Sequence, residues 1–152
     1  MDPFEDLIHD FGVVIDLPLK ADSRQSCKLD FDEDFTVQID LDTSGDKILI
    51  GSQLGELSAG PYREKIFRKA LHVNGNVTSV RGVLAYSTKN SSLVLFEYLP
   101  LSSLNGETLY KYMQTFISHA QTWHEALKRG EVPTIEGENL SQKSSGFFGL
   151  KP

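Results

Sequence analysis

Three things are scarce in this chain, and each scarcity excludes something. There is a single cysteine, Cys27, so no disulfide can close within the chain, and a reducing compartment is expected. No apolar run approaches the ~18 residues that a membrane-spanning helix requires. Clustered positive charge is also missing. The 15 Lys and Arg against 21 Asp and Glu leave a formal charge of −6, whereas contacts to nucleic-acid phosphates call for a basic patch. The most basic stretch, Arg63-Lys65-Arg68-Lys69, falls on one predicted helix and reads as its solvated face. The opening residues Met1-Asp2-Pro3-Phe4-Glu5-Asp6 are acidic, so a secretory signal peptide is not expected.

Catalytic patterns are equally scarce. "DLDTSGDKILIG" starts like a calcium loop, with Asp40, Asp42, Ser44 and Gly45 in place, but its twelfth position is Gly51 instead of a bidentate Glu. A hairpin turn explains it. "DFDED", Asp30 to Asp34, lacks the glycine such a loop needs and reads as a charged strand edge. "GELSAGPY" has phosphate-loop spacing from Gly55 to Gly60, yet Pro61 and Tyr62 stand where Lys and Ser or Thr belong. His119 and His124 are five apart, on different helix faces, and His9 and His72 sit beside apolar stripes. Cys27 has no neighbouring base, and no G-x-S-x-G elbow occurs. The reading is a binding protein and not an enzyme, with no cofactor and no metal.

What is present is periodicity. The 152 residues, 39% hydrophobic and 24% charged, suit one soluble domain that buries roughly 68–70% of its unfolded surface. Asp2 caps a first helix, with Pro3 at its first position and Glu5 at capping-box spacing. Phe4, Leu7, Ile8 and Phe11 form its stripe, and Gly12 suits a left-handed cap. Three strands follow: Cys27 to Asp32, then Phe35 to Leu41 with strict alternation, then Lys47 to Leu54. A second helix runs from Pro61 to about Val73, with Ile66, Phe67, Ala70 and Leu71 as its stripe and Asn74-Gly75-Asn76 as its end. Val80 to Ser87 and Ser92 to Leu99 make two more strands. The last is apolar on both faces, and Pro100 stops it. A long helix starts between Leu104 and Glu107 and carries Leu109, Met113, Phe116, Ala120, Trp123 and Leu127. The order α-β-β-β-α-β-β-α predicts an α+β fold with an antiparallel sheet. Residues 1–129 make the domain. Residues 130–152, rich in Gly, Pro, Ser and Glu, are expected to form a flexible tail. Phe147-Phe148-Gly149-Leu150 reads as an exposed terminus or as a docking motif within it.

The segment Gly82 to Leu109, "GVLAYSTKNSSLVLFEYLPLSSLNGETL", together with "DPFEDLIHDFG" at the start, resembles the class I type III secretion chaperones, the Tir-chaperone-like family. The order of elements carries the likeness over residues 1 to 128. The resemblance implies a homodimer in the bacterial cytoplasm. Such a chaperone binds the N-terminal region of secreted effectors in extended, non-globular form and keeps it soluble and secretion-competent, without ATP. Secretion-apparatus components are further partners that it implies; nucleic acid and membrane insertion are not. Ile66, Phe67, Ala70, Leu71, Val83 and Ala85 are the candidates for an isologous dimer interface. Phe4, Leu7, Phe11, Leu29, Phe31, Val37, Ile39 and Ile50 are the candidates for effector binding, on a sheet edge and apolar grooves. All of these also fit ordinary core positions. An alternative is an adaptor or regulatory protein that binds a folded cytoplasmic partner, since fold does not fix function.

Overall fold

In a computed structural model of the chain, residues 2–32, 34–135 and 137 are described. Helix α1, Pro3–Ile15, begins as its sequence dictates: Asp2 accepts a 2.7 Å hydrogen bond from the Glu5 N–H, and Pro3 fills the first turn. It runs past Gly12, and the left-handed cap falls on Asp16. Gly12 is needed for closeness instead, because a Cβ there would stand 2.6 Å from the Leu17 carbonyl oxygen. The chain turns back tightly against the helix at that point.

Five strands follow the expected order: β1 Ser26–Asp32, β2 Phe35–Leu41, β3 Lys47–Glu56, β4 Val83–Ser87 and β5 Ser92–Pro100. All neighbours pair antiparallel, in the spatial order β1-β2-β3-β5-β4. Helix α2, Pro61–Asn76, is the connection from β3 to β4. It continues through Asn74-Gly75-Asn76 and ends against Val77. Its C-terminal turn has a task that the expected helix stop concealed. Asn74 holds the edge of β4 by donating to the Leu84 carbonyl and accepting from the Leu84 N–H, both at 2.9 Å. β4 is accordingly shorter than expected. Gly82, just before it, takes φ +98°, and a Cβ there would meet Leu95 at 2.7 Å.

After β5 a short 3-10 turn, Leu101–Ser103, delivers the chain to α3, Gly106–Arg129. Asn105 and Thr108 cap this helix reciprocally, and Gly130 closes it in the left-handed region. α3 packs against α1 and lies on β3 and β2, while α2 packs chiefly on β4. Alternation in the strands then divides the sheet into two faces. Phe35, Val37, Ile39, Ile48, Ile50, Leu54, Leu93 and Leu95 point inward and meet Phe4, Ile8, Phe11, Phe116 and Trp123 in one core. His124 ties α3 to this sheet. Its Nδ1–H donates to the Leu54 carbonyl at 2.9 Å, its Nε2 lies 3.3 Å from Asp34, and its ring stacks on Phe35.

The contact of α1 with α3 is set by Gly106. A Cβ at that position would lie 2.7 Å from the Asp10 carbonyl oxygen and 3.1 Å from the Phe11 nitrogen, both rigid backbone. Ala is the better helix former by up to about 1 kcal/mol, yet it would push the two helices apart. Gly106→Ala is therefore expected to lower stability by about 1–3 kcal/mol in urea denaturation; a stabilised variant would show that the contact is not tight.

Candidate functional site

Several titratable groups are committed to structure. Cys27 is a buried free thiol on the inner face of β1, and burial pushes its pKa up, away from reactivity. Tyr112 is held protonated by burial and by Glu97, which accepts from its hydroxyl at 3.0 Å. The same carboxylate accepts from the Gly82 N–H at 2.9 Å, bracing the entry to β4. His119 is buried edge-on to Trp123, and burial lowers its pKa to about 4. Among the described residues, no group of three or more His, Cys, Asp or Glu could hold a metal ion.

Most of the anticipated binding residues lie inside. Phe4, Leu7, Phe11, Leu29, Val37, Ile39 and Ile50 are all buried in the core, so they support a surface without presenting one. The reason is geometric: an apolar stripe at helix or strand spacing marks the side turned to the sheet, and here that side is covered by the protein's own elements. Phe31 is the exception, 43% exposed at the end of β1, with its ring 5.4 Å from that of Phe35. The anticipated self-association residues split differently. Ile66 and Ala70 are core, Phe67 and Ala85 are half-buried, and Leu71 and Val83 are 72% and 45% exposed.

Among the described residues, three surfaces bear on binding. The first is a groove of about 760 Å³ along the outer side of α1. Its floor is Gly12 and Val13, and its far wall is the returning segment Leu17–Ala21. Val13 and Leu17 are 67% and 54% exposed, though neither was singled out by the stripe Phe4-Leu7-Ile8-Phe11. Their signal was an apolar run, Val13-Val14-Ile15 and then Leu17, continuing after the stripe was complete.

The second surface is the outer face of the sheet. One row of paired residues crosses all five strands: Lys28, Gln38, Gly51, Phe96 and Val83. It passes from charged to apolar, with a glycine at the middle. The neighbouring rows repeat this, with Asp40, Leu49 and Tyr98 in one, and Gln53, Val94 and Ala85 in the other. The polar half and the dip at Gly51 form a groove of about 680 Å³. At the apolar end β4 packs on its inward side against α2, where the Phe67 and Tyr86 rings meet edge-on. The third surface is the outer edge of β1, which pairs only with β2. Its outward side chains Lys28, Asp30 and Asp32 are exposed and charged, a feature that discourages indiscriminate pairing with other strands.

These features define a class: an α+β protein with an open strand edge, apolar grooves and no catalytic constellation among the described residues. The chain belongs to the Tir chaperone protein (CesT) family, whose family model matches residues 6–124. The family is one of type III secretion chaperones, which are binding proteins and not enzymes. No curated protein sequence matches the chain. Among solved structures, the HopA1-SchA chaperone-effector complex holds a chain with a TM-score of 0.65 at 21% identity, over 82% of this chain and 94% of that one. A chain in the ExsC-ExsE complex gives 0.61 at 20% identity, over 80% and 90%. A chain in the heterodimeric ExoU-SpcU complex from the type III secretion system of Pseudomonas aeruginosa gives 0.58 at 18% identity, over 86% and 98%. At such identities these likenesses speak for the fold. Among the described residues no helix is long and apolar enough to cross a membrane.

The buried His119 makes stability depend on pH. Its pKa lies near 4 in the fold against 6.5 unperturbed, so the folded state favours the neutral ring. That contribution is complete above pH 6.5 and is lost as the pH falls from there toward 4. Urea titrations at pH 7 and pH 4 should show wild type losing on the order of 3 kcal/mol more than His119→Leu over this interval. Equal losses would mean that the ring is not kept neutral by burial.

Proposed function

We propose that this chain is a type III secretion chaperone of the bacterial cytoplasm, acting as a homodimer that holds the N-terminal region of one or more secreted effectors in extended, non-globular form. The observation that carries the reading is the combination of family membership with an open antiparallel edge at β1 and an apolar groove against α1, whose wall Leu17–Ala21 belongs to the segment that leads into β1. An extended client segment can continue the sheet at β1, where backbone hydrogen bonds supply affinity without regard to sequence. The apolar groove of Val13, Leu17, Leu19 and Ala21 then selects for side chains, as alternate positions of the client fall into it. No nucleotide is needed, because the effector is kept from folding by occupation of its apolar side chains.

Self-association is assigned to the opposite end of the sheet. Phe67, Leu71, Val83, Phe96 and Tyr98 would be covered by the same surface of a second copy. An obligate interface of this type buries upwards of ~2,000 Å² and is more apolar than ordinary surface. Edge and interface lie at opposite ends of the strand order, so a dimer presents two independent client edges.

Co-purification from the native cytoplasm, with light-scattering mass on the complex, tests the proposal. A 2:1 assembly of chaperone with the N-terminal part of a secreted protein is the expected result. A single chain bound to a folded protein would overturn it in favour of an adaptor. Within the complex, Leu17→Asp should weaken client binding at least about ten-fold, near 1.4 kcal/mol, while the melting temperature of the free chaperone stays unchanged.

A further inference from the structure

Beyond α3 the described residues stay against the domain. Glu131–Ile135 and Gly137 return along α2, and both ends of this run are pinned. At its start, the hydroxyl of Tyr62, in the first turn of α2, donates to the Glu131 carbonyl at 2.7 Å. At its end, Gly137 sits just past the last turn of α2. A Cβ on it would lie 3.0 Å from the Ser79 hydroxyl oxygen and 3.7 Å from Val77. From Tyr62 to Val77 the chain advances about 22 Å at 1.5 Å per residue, and the six steps from Glu131 to Gly137 reach about 20 Å only when extended. The strap therefore runs alongside α2, with Glu131 at its first turn and Gly137 just past its last. Extended chains turn alternate side chains to one side, and here Pro133 and Ile135 are buried while Val132 and Thr134 are exposed. Ile135 belongs to the main hydrophobic core.

The expectation that the chain becomes a free tail at residue 130 thus has to be amended for this run. Residues 138–152, including Phe147-Phe148-Gly149-Leu150, lie outside the described residues.

α2 depends on such support. Its N-cap, Gly60, offers the first turn no side-chain acceptor, and its fully buried stripe is only Ile66, Ala70 and Val73. Its main partner, β4, is an edge strand of five residues, and Asn74 of α2 is what occupies the outer backbone groups of Leu84. The strap, α2 and β4 thus form one chain of dependence, ending in the surface that carries Phe67, Leu71 and Val83.

We propose that the flank of α2 is a binding groove for an extended peptide with proline or β-branched side chains at alternate positions. Its resident occupant is the strap Glu131–Ile135. Occupancy holds α2 and β4 in the geometry in which they present the self-association surface. This last coupling rests on the dimer reading; the groove itself does not.

The test uses the full chain with Ile135→Asp, and Val132→Asp as the control on the exposed side of the strap. Hydrogen exchange should rise at least about ten-fold in α2 and β4 of Ile135→Asp and stay unchanged in β2 and β3. A synthetic peptide of residues 129–139 should restore protection, and Val132→Asp should behave as wild type. Unchanged exchange in α2 would overturn the groove. So would a rise shared equally by β2 and β3 that the peptide does not reverse, since Ile135 would then be only a core residue. Sedimentation of the same proteins separates the two readings. A monomeric wild type removes the dimer and leaves the exchange result to decide the groove. A dimer of equal strength in both proteins, with α2 loosened, removes the coupling alone.

Discussion

Every other feature of the molecule depends on how the inner face of the sheet is covered. Alternation in β2 and β3 sends Phe35, Val37, Ile39, Ile48 and Ile50 to one side, and all five are fully excluded from water by α1 and α3. Burial on this scale is the dominant favourable term in folding, and it leaves nothing on that side for a partner. The helix pair can lie this close only because Gly106 meets the backbone of α1 without a Cβ. Binding is thereby confined to the outer sheet face, the strand edge and the outward sides of the helices.

These surfaces differ in kind, which is what a chaperone for extended chains requires. A strand edge offers backbone groups and is indifferent to sequence, whereas the proposed client groove at Val13 and Leu17 offers apolar side chains. The row from Lys28 to Val83 grades from polar to apolar across a single sheet, so the two ends of one face differ in what they can meet. Groups that could act chemically are locked away by the same packing. The thiol of Cys27 and the ring of His119 owe their altered acidity to burial among apolar neighbours, and the Tyr112–Glu97 pair braces the bend at Gly82.

The local rules of the chain were legible where they are one-dimensional. Asp2 and Pro3 announce α1, alternation from Phe35 to Leu41 announces β2, and Pro61 announces α2. Gly12 misleads, because a glycine serves equally as a left-handed cap or as a point of close approach, and only the path of Leu17 shows which applies. Asn74 misleads likewise. It looks like a helix terminator, and its amide is in fact engaged with β4 ten residues further along. The binding residues were the least legible part. Phe4, Leu7 and Phe11 stand out because they are periodic, and periodicity is the signature of the side facing the core. Groove residues such as Val13 and Leu17 fall off the stripe by necessity.

Sequence by itself determined the order of elements, the starts of α1 and α2, the two faces of each strand and, through the segment from Gly82 to Leu109, the family. These follow from interactions between residues a few positions apart, which spacing records directly. Tertiary structure decided which apolar residues are core and which are surface, that β5 lies between β3 and β4, and that Glu131–Ile135 turns back beside α2. Those depend on which distant segment covers which face. Tyr62 meeting Glu131, sixty-nine residues away in the chain, is settled by the closing of the whole fold and by nothing in the neighbourhood of either residue.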